Sequence, residues 1–156
     1  MKIIDRLNED RIHISFEVFP PKKDEDYGKV VHAVDEIATL DPAFISVTYG
    51  AGGGTSKNTA KIASHIKDDL HLLSLAHLTC ASSTKEEVRH VIKKLKEMGI
   101  ENILALRGDI PEGLTFPDAD RFIYAYELVE EIWKHGDFCI GAACYPEGHV
   151  ENEHKA

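Results

Sequence analysis

The chain has 156 residues, 43% hydrophobic and 29% charged, and its 18 Lys+Arg against 27 Asp+Glu give a net charge of -9. That length and balance describe one soluble globular domain and exclude a disordered chain, while the acidic sign disfavours nucleic acid and an anionic membrane surface as partners. No apolar run reaches the roughly 18 residues of a membrane helix, and the first ten residues lack the apolar core of a signal peptide.

Short apolar runs, rich in β-branched and aromatic residues, occur at 12–19, 43–49, 72–79, 102–106 and 138–145. Their length suits buried strands. Between them lie stretches with helical spacing. Tyr27, Val30, Val31, Val34, Ile37, Ala38 and Leu40 form one apolar face, and Val88, Val91, Ile92, Leu95 and Met98 form another. Phe122, Tyr126, Val129, Ile132 and Trp133 form a third. Ser83-Thr84-Lys85-Glu86-Glu87 reads as a hydroxyl cap with acidic residues in the first turn, and Met98-Gly99 as a stop. Pro117-Asp118 is expected to open the last helix and His135-Gly136 to close it. The order is βαβαβαβαβ without a linker, so 1–156 is expected to be a single α/β domain with a covered parallel sheet. Cys80, Cys139 and Cys144 are odd in number and lack C-x-x-C spacing, so unpaired thiols in a reducing cytoplasm are expected. Cys139 and Cys144, within an apolar run, are expected to pack as buried small hydrophobes.

Each strand ends in a group able to do chemistry: Glu17, then Thr48 and Tyr49, then His77, then Arg107 and Asp109, then Tyr145 with His149. Successive ends fall roughly 30 residues apart, the length of one βα unit. In a (β/α)8 barrel every strand end points at one shared pocket, whereas an open flavodoxin-like sheet gathers its ligand at a single switch point. A polar group at every strand end favours the barrel. A complete barrel takes about 250 residues, so five strands and four helices are expected to form the N-terminal part of a (β/α)8 barrel, truncated after about five units.

The glycine segment Gly50-Ala51-Gly52-Gly53-Gly54-Thr55-Ser56 fits neither G-x-G-x-x-G nor a P-loop. It reads as a βα loop that a ligand can approach closely, or as a mere tight turn. Glu17, between Phe16 and Val18 and ahead of Pro20-Pro21, would be desolvated and suited to proton donation if it points into a barrel. An outward-facing or salt-bridged glutamate fits the spacing as well. Arg107-Gly108-Asp109 matches a cell-adhesion tripeptide by chance. At a strand end its fixed cation suits a phosphate or an electron-rich ring, and a structural ion pair is the alternative. His77 with Cys80, or His149 with His154, lack a second pair at ligand spacing, so no metal is expected. The other histidines read as surface or packing residues, and no G-x-S-x-G elbow is present.

Five segments occur together in order: Phe16-Glu17-Val18-Phe19-Pro20-Pro21-Lys22, Ser46-Val47-Thr48-Tyr49-Gly50-Ala51-Gly52, Ala76-His77-Leu78-Thr79-Cys80, Asn102-Ile103-Leu104-Ala105-Leu106-Arg107-Gly108-Asp109 and Ala143-Cys144-Tyr145-Pro146-Glu147-Gly148-His149. They resemble the successive strand ends of the methylenetetrahydrofolate reductase family. The resemblance implies a (β/α)8 barrel that binds FAD without a covalent bond and uses NADH or NADPH to convert 5,10-methylenetetrahydrofolate to 5-methyltetrahydrofolate. It implies catalytic roles for Glu17, matching the acid that protonates the folate, and for Asp109, matching the carboxylate between flavin and folate. Tyr49, Ala51, His77, Arg107, Gly108, Tyr145 and His149 match positions lining the FAD, with Ala125 a further member, and Thr48 matches one that meets the nicotinamide.

In the family the chain continues past the Tyr-Pro-Glu-Gly-His segment through a helix that holds FAD and three more strands. Weak FAD binding is therefore expected of these residues alone. Exposed sheet edges also lead to an expectation of a homo-oligomer. The alternative function is a catalytically silent half-barrel that self-associates or binds flavin weakly.

Overall fold

The computed structural model describes residues 1–49 and 56–148, apart from the side chain of Ser56. Five strands, β1 (Ser15–Val18), β2 (Phe44–Val47), β3 (Ser74–Thr79), β4 (Asn102–Leu106) and β5 (Cys139–Ala142), form one sheet in the order β1-β2-β3-β4-β5. All four pairings are parallel. Helices α2 (Tyr27–Ala38), α3 (Ser56–Asp68), α4 (Lys85–Glu97) and α5 (Ala125–His135) alternate with the strands. A strictly sequential order is that of a barrel wall; a flavodoxin-like sheet would exchange its first two strands. The α/β class and the partial-barrel arrangement expected from the sequence are those observed.

Side chains alternate along each strand, and the register assigns them to two faces. Val18, Ile45, Val47, Ala76, Leu78, Ile103 and Ala105 share one face and are buried. They join one core cluster with Val34 of α2, Ile62 and Ile66 of α3, Val88, Ile92 and Leu95 of α4, and Leu128 and Ile132 of α5. The opposite face, turned away from that core, carries Glu17, Ser46, Leu75, His77, Thr79, Leu104 and Leu106, a mixture of polar and apolar groups. The apolar strand residues thus anchor the helices, and this leaves the second face to carry chemistry.

A short helix, α1 (Ile3–Leu7), precedes β1 and was not foreseen, since its apolar positions are too few to show a period. It caps the N-terminal ends of the strands. The Met1 ammonium pairs with Glu101, Lys2 Nζ lies 2.5 Å from Asp137 Oδ1, and the Ile3 N–H donates to Asn102 Oδ1 at 2.8 Å. Asn102 is buried and its Nδ2 donates to the Ser74 carbonyl at 3.2 Å. Asn102→Leu keeps the volume but strands both backbone groups. It is expected to cost about 1–3 kcal/mol, read as a lower urea midpoint with an unchanged slope.

The cap of α4 is as the sequence implies: the Glu87 N–H donates to Thr84 Oγ1 at 3.3 Å, and Glu87 Oε2 accepts from the Thr84 N–H at 2.7 Å. The start of α5 is not. Asp118 accepts from the Asp120 N–H at 3.0 Å and from Arg121 Nε at 3.3 Å, which closes a local turn. Glu127 takes the N–H groups of Ile123 and Tyr124 at 2.6 and 2.9 Å, and the helix begins at Ala125. Phe122 is therefore buried from the loop and not from the helix. The cysteines are unpaired; Cys80 is buried, but Cys139 is only partly so and Cys144 is exposed. Cys144 lies past the end of β5, the outermost strand, where nothing described packs over it.

Glu131 joins α4 to α5. Its carboxylate, 5% exposed, accepts from Arg89 Nε at 2.7 Å, Lys134 Nζ at 3.1 Å and His135 Nε2 at 3.3 Å. The Arg89 bond foremost holds its pKa down to about 2, against an ordinary value of 4.5. A depressed folded pKa gives stability that is present above the unfolded value and lost as pH falls from about 4.5 toward 2. Because the cationic partners are half or more exposed for Arg89 and Lys134, the contribution is discounted to about 1–2 kcal/mol. Denaturation at neutral pH and near pH 3 is expected to show wild type losing part of that stability, a loss Glu131→Gln does not share.

Candidate functional site at the strand ends

Glu17 is the third residue of β1 and lies in register with Ser46 of β2. Ser46 is in register with Leu75 of β3, and His77 follows Leu75 by two residues on the same face. The three polar side chains therefore converge. Ser46 Oγ lies 3.3 Å from Glu17 Oε2 and His77 Nε2 lies 3.4 Å from the same oxygen. His77 and Ser46 are buried. The Glu17 side chain is 48% exposed, so the desolvation expected of a carboxyl inside a barrel is not what the structure shows. Among the described residues β1 lies at the edge of the sheet and pairs only with β2.

Burial pushes the His77 imidazole below its ordinary pKa, and the Glu17 carboxylate offsets this in part. His77 Nε2 is buried without a hydrogen bond among the described residues, since its 3.4 Å approach to Glu17 falls outside hydrogen-bonding geometry.

The remaining sites sit on loops at the same end of the sheet. Thr48 follows β2; its N–H donates to the Val18 carbonyl at 3.0 Å and its carbonyl accepts from Thr59 Oγ1 at 2.9 Å. Tyr49 is partly buried and packs against the core. The Arg107 carbonyl accepts from the N–H groups of Cys80 and Ala81 at 3.2 and 2.9 Å, which ties the end of β4 to that of β3. Gly108 has φ +75°, and a Cβ there would meet Thr79 Cβ at 2.8 Å. Only glycine satisfies both conditions. Asp109 is exposed beyond it. Tyr145, 58% exposed, begins a turn in which the Gly148 N–H donates to its carbonyl at 2.9 Å. Ala125 is the half-buried first residue of α5. Ala51 and His149 lie outside the described residues.

Sequence reasoning placed Glu17 and His77 at the site but assigned no role to Ser46 or Thr79. The available signal was a hydroxyl interrupting an apolar strand on the alternation of Thr48 and Leu75. The Cys80 thiol, pushed up to about 11 by burial, is an inert packing group.

An α/β wall with its chemistry gathered at the C-terminal ends of parallel strands places the chain among barrel-type enzyme folds. A family model described as methylenetetrahydrofolate reductase matches residues 2–156, and the chain belongs to that family. It is 40% identical over 141 residues to the 5,10-methylenetetrahydrofolate reductases of Pectobacterium carotovorum subsp. carotovorum and Escherichia coli (strain K12), an overlap of 90% of this chain and 46% of each relative. It is 36% identical over 159 residues to "Methylenetetrahydrofolate reductase (NADH) 1" of Zea mays, covering 96% of this chain and 26% of that protein. The chain thus spans about half the length of these bacterial relatives.

Proposed function

We propose that these residues form the N-terminal part of a flavin-dependent oxidoreductase that reduces 5,10-methylenetetrahydrofolate to 5-methyltetrahydrofolate with NADH or NADPH. The observation that carries this reading is the convergence of Glu17, Ser46 and His77 on one face at the strand ends, in a chain of this family. The described groups suit FAD: a guanidinium at Arg107, an imidazole at His77, phenols at Tyr49 and Tyr145, and a glycine at Gly108 where backbone can be approached closely. When bound, the flavin supplies the hydride chemistry. Arg107, Gly108, His77, Tyr49, Tyr145 and Ala125 would hold it, with Ala51 and His149, and Thr48 would meet the nicotinamide. Glu17 would supply the proton that goes to the folate, and Asp109 would contribute a carboxylate between flavin and folate.

The test is to follow the two half-reactions anaerobically in a chain of the relatives' full length carrying these residues. Bleaching of the flavin by NADH or NADPH and recovery of its colour on adding methylenetetrahydrofolate is the expected result. Bleaching without recovery contradicts a folate substrate.

The same reading includes a cytoplasmic setting, which the unpaired Cys80, Cys139 and Cys144 support, and self-association. Ile12, Ile14 and Phe19, exposed by 91%, 61% and 69%, flank the free edge of β1. An unpaired strand edge beside apolar side chains is a template for a second chain. Sedimentation at micromolar concentration is expected to show a dimer or larger species; a stable, cooperatively unfolding monomer contradicts it. Among the described residues no helix is long and apolar enough to cross a membrane.

A further inference from the structure

Ser46 Oγ and His77 Nε2 both approach Oε2 of Glu17. The single Ser46 hydroxyl proton is shared between Glu17 Oε2 at 3.3 Å and the Phe16 carbonyl at 3.4 Å, and His77 is buried in β3 with Leu104 as its register partner on β4. We propose that Ser46 and His77 are positioning residues for Glu17, meeting its carboxyl at Oε2 and so fixing the group that hands on the proton. This rests on the functional reading of Glu17 as the proton donor.

The chemistry follows from the donors' charge. A carboxylic acid carries its proton on one oxygen and accepts hydrogen bonds best at the other. An imidazolium beside Glu17 would defeat this arrangement by holding the group as a carboxylate. Burial disfavours the imidazolium, and Glu17 is the charged group that acts on His77 among the described residues. His77 therefore serves as a neutral donor. Its orphaned Nε2 acquires a purpose: reorientation of the half-exposed Glu17 side chain turns the 3.4 Å contact into a hydrogen bond. On transfer, the carboxyl O–H bond of Glu17 breaks and a bond from that proton to a folate nitrogen forms. The resulting carboxylate is held by Ser46 and His77 until water returns a proton.

The test uses imidazole ¹⁵N resonances of this chain and needs no ligand. At pH 7.5 His77 is expected to be neutral with its proton on Nε2. Glu17→Gln, a change at a half-exposed position, is expected to lower the His77 titration midpoint by about one pH unit, because an opposing charge is removed. A proton on Nδ1 in the wild type, or a midpoint that Glu17→Gln leaves unmoved, overturns the proposal. In a full-length chain, Ser46→Ala is expected to slow the folate half-reaction about tenfold, at the low end for a misplaced acid, with Ser46→Thr restoring it and the nicotinamide half-reaction unchanged. Equal slowing of both half-reactions by Ser46→Ala also overturns it. If the NMR result fails while Glu17→Gln still selectively slows the folate step, the positioning role falls and the functional reading stands. If Glu17→Gln leaves the folate step intact, both fall.

Discussion

Glu17→Gln is expected to divide the two half-reactions of a full-length chain carrying these residues. Glutamine keeps the size of the side chain and can still meet Ser46 and His77, but it has no acid proton to give. Reduction of the flavin by the nicotinamide needs no proton on the folate and is expected to stay near wild type. The folate half-reaction is expected to fall by roughly 10²–10⁴-fold, the usual contribution of a general acid. Stopped-flow absorbance resolves the two. Equal slowing of both makes Glu17 structural, and no slowing of either moves the proton source elsewhere. Because the carboxyl is half exposed, the variant is expected to fold, so the result reports on chemistry.

Gly108→Ala is expected to have the largest effect on the scaffold of the site. Its φ of +75° costs a residue with a side chain about 1–2 kcal/mol, and the added Cβ falls 2.8 Å from Thr79 Cβ. Overlap of that kind costs about 1–3 kcal/mol, for a total on the order of 2–5 kcal/mol. The strain is local to the carbonyl of Arg107, which holds the N–H groups of Cys80 and Ala81. Loss of FAD affinity is therefore expected alongside loss of stability. Thr79→Gly removes the opposing Cβ, so a double-mutant cycle separates the two causes. A coupling near the steric part, with the backbone part remaining in the double variant, is the expected outcome. Zero coupling contradicts the close approach.

The alternation of strands and helices was legible because each strand has a buried face, and runs such as Phe44–Val47 and Asn102–Leu106 are too short and too apolar to be read otherwise. The convergence of Glu17 with His77 was legible as spacing but not as contact. Two intervals near one βα unit bring them to the same end, whereas only the register shows that they share a face. Ser46 was hidden because a serine inside a strand looks like any other tolerated polar residue until its neighbour across the ladder is known. The onset of α5 was misread because Pro117-Asp118 has the composition of a cap, whereas the observed cap position is Tyr124, a residue type that does not mark a helix start, with Glu127 three residues on as the acceptor. Glu17 is half exposed on a strand that pairs only with β2 among the described residues, which no residue pattern within β1 records.

The account rests on a ligand site at the C-terminal ends of the strands. Backbone and imidazole resonances of this chain, followed while FAD is added, test it most directly. The account predicts perturbations gathered at Thr48, His77, Arg107, Gly108 and Tyr145, with the outer faces of α2 to α5 undisturbed. Perturbations gathered on those helices, or none at millimolar FAD, would contradict it.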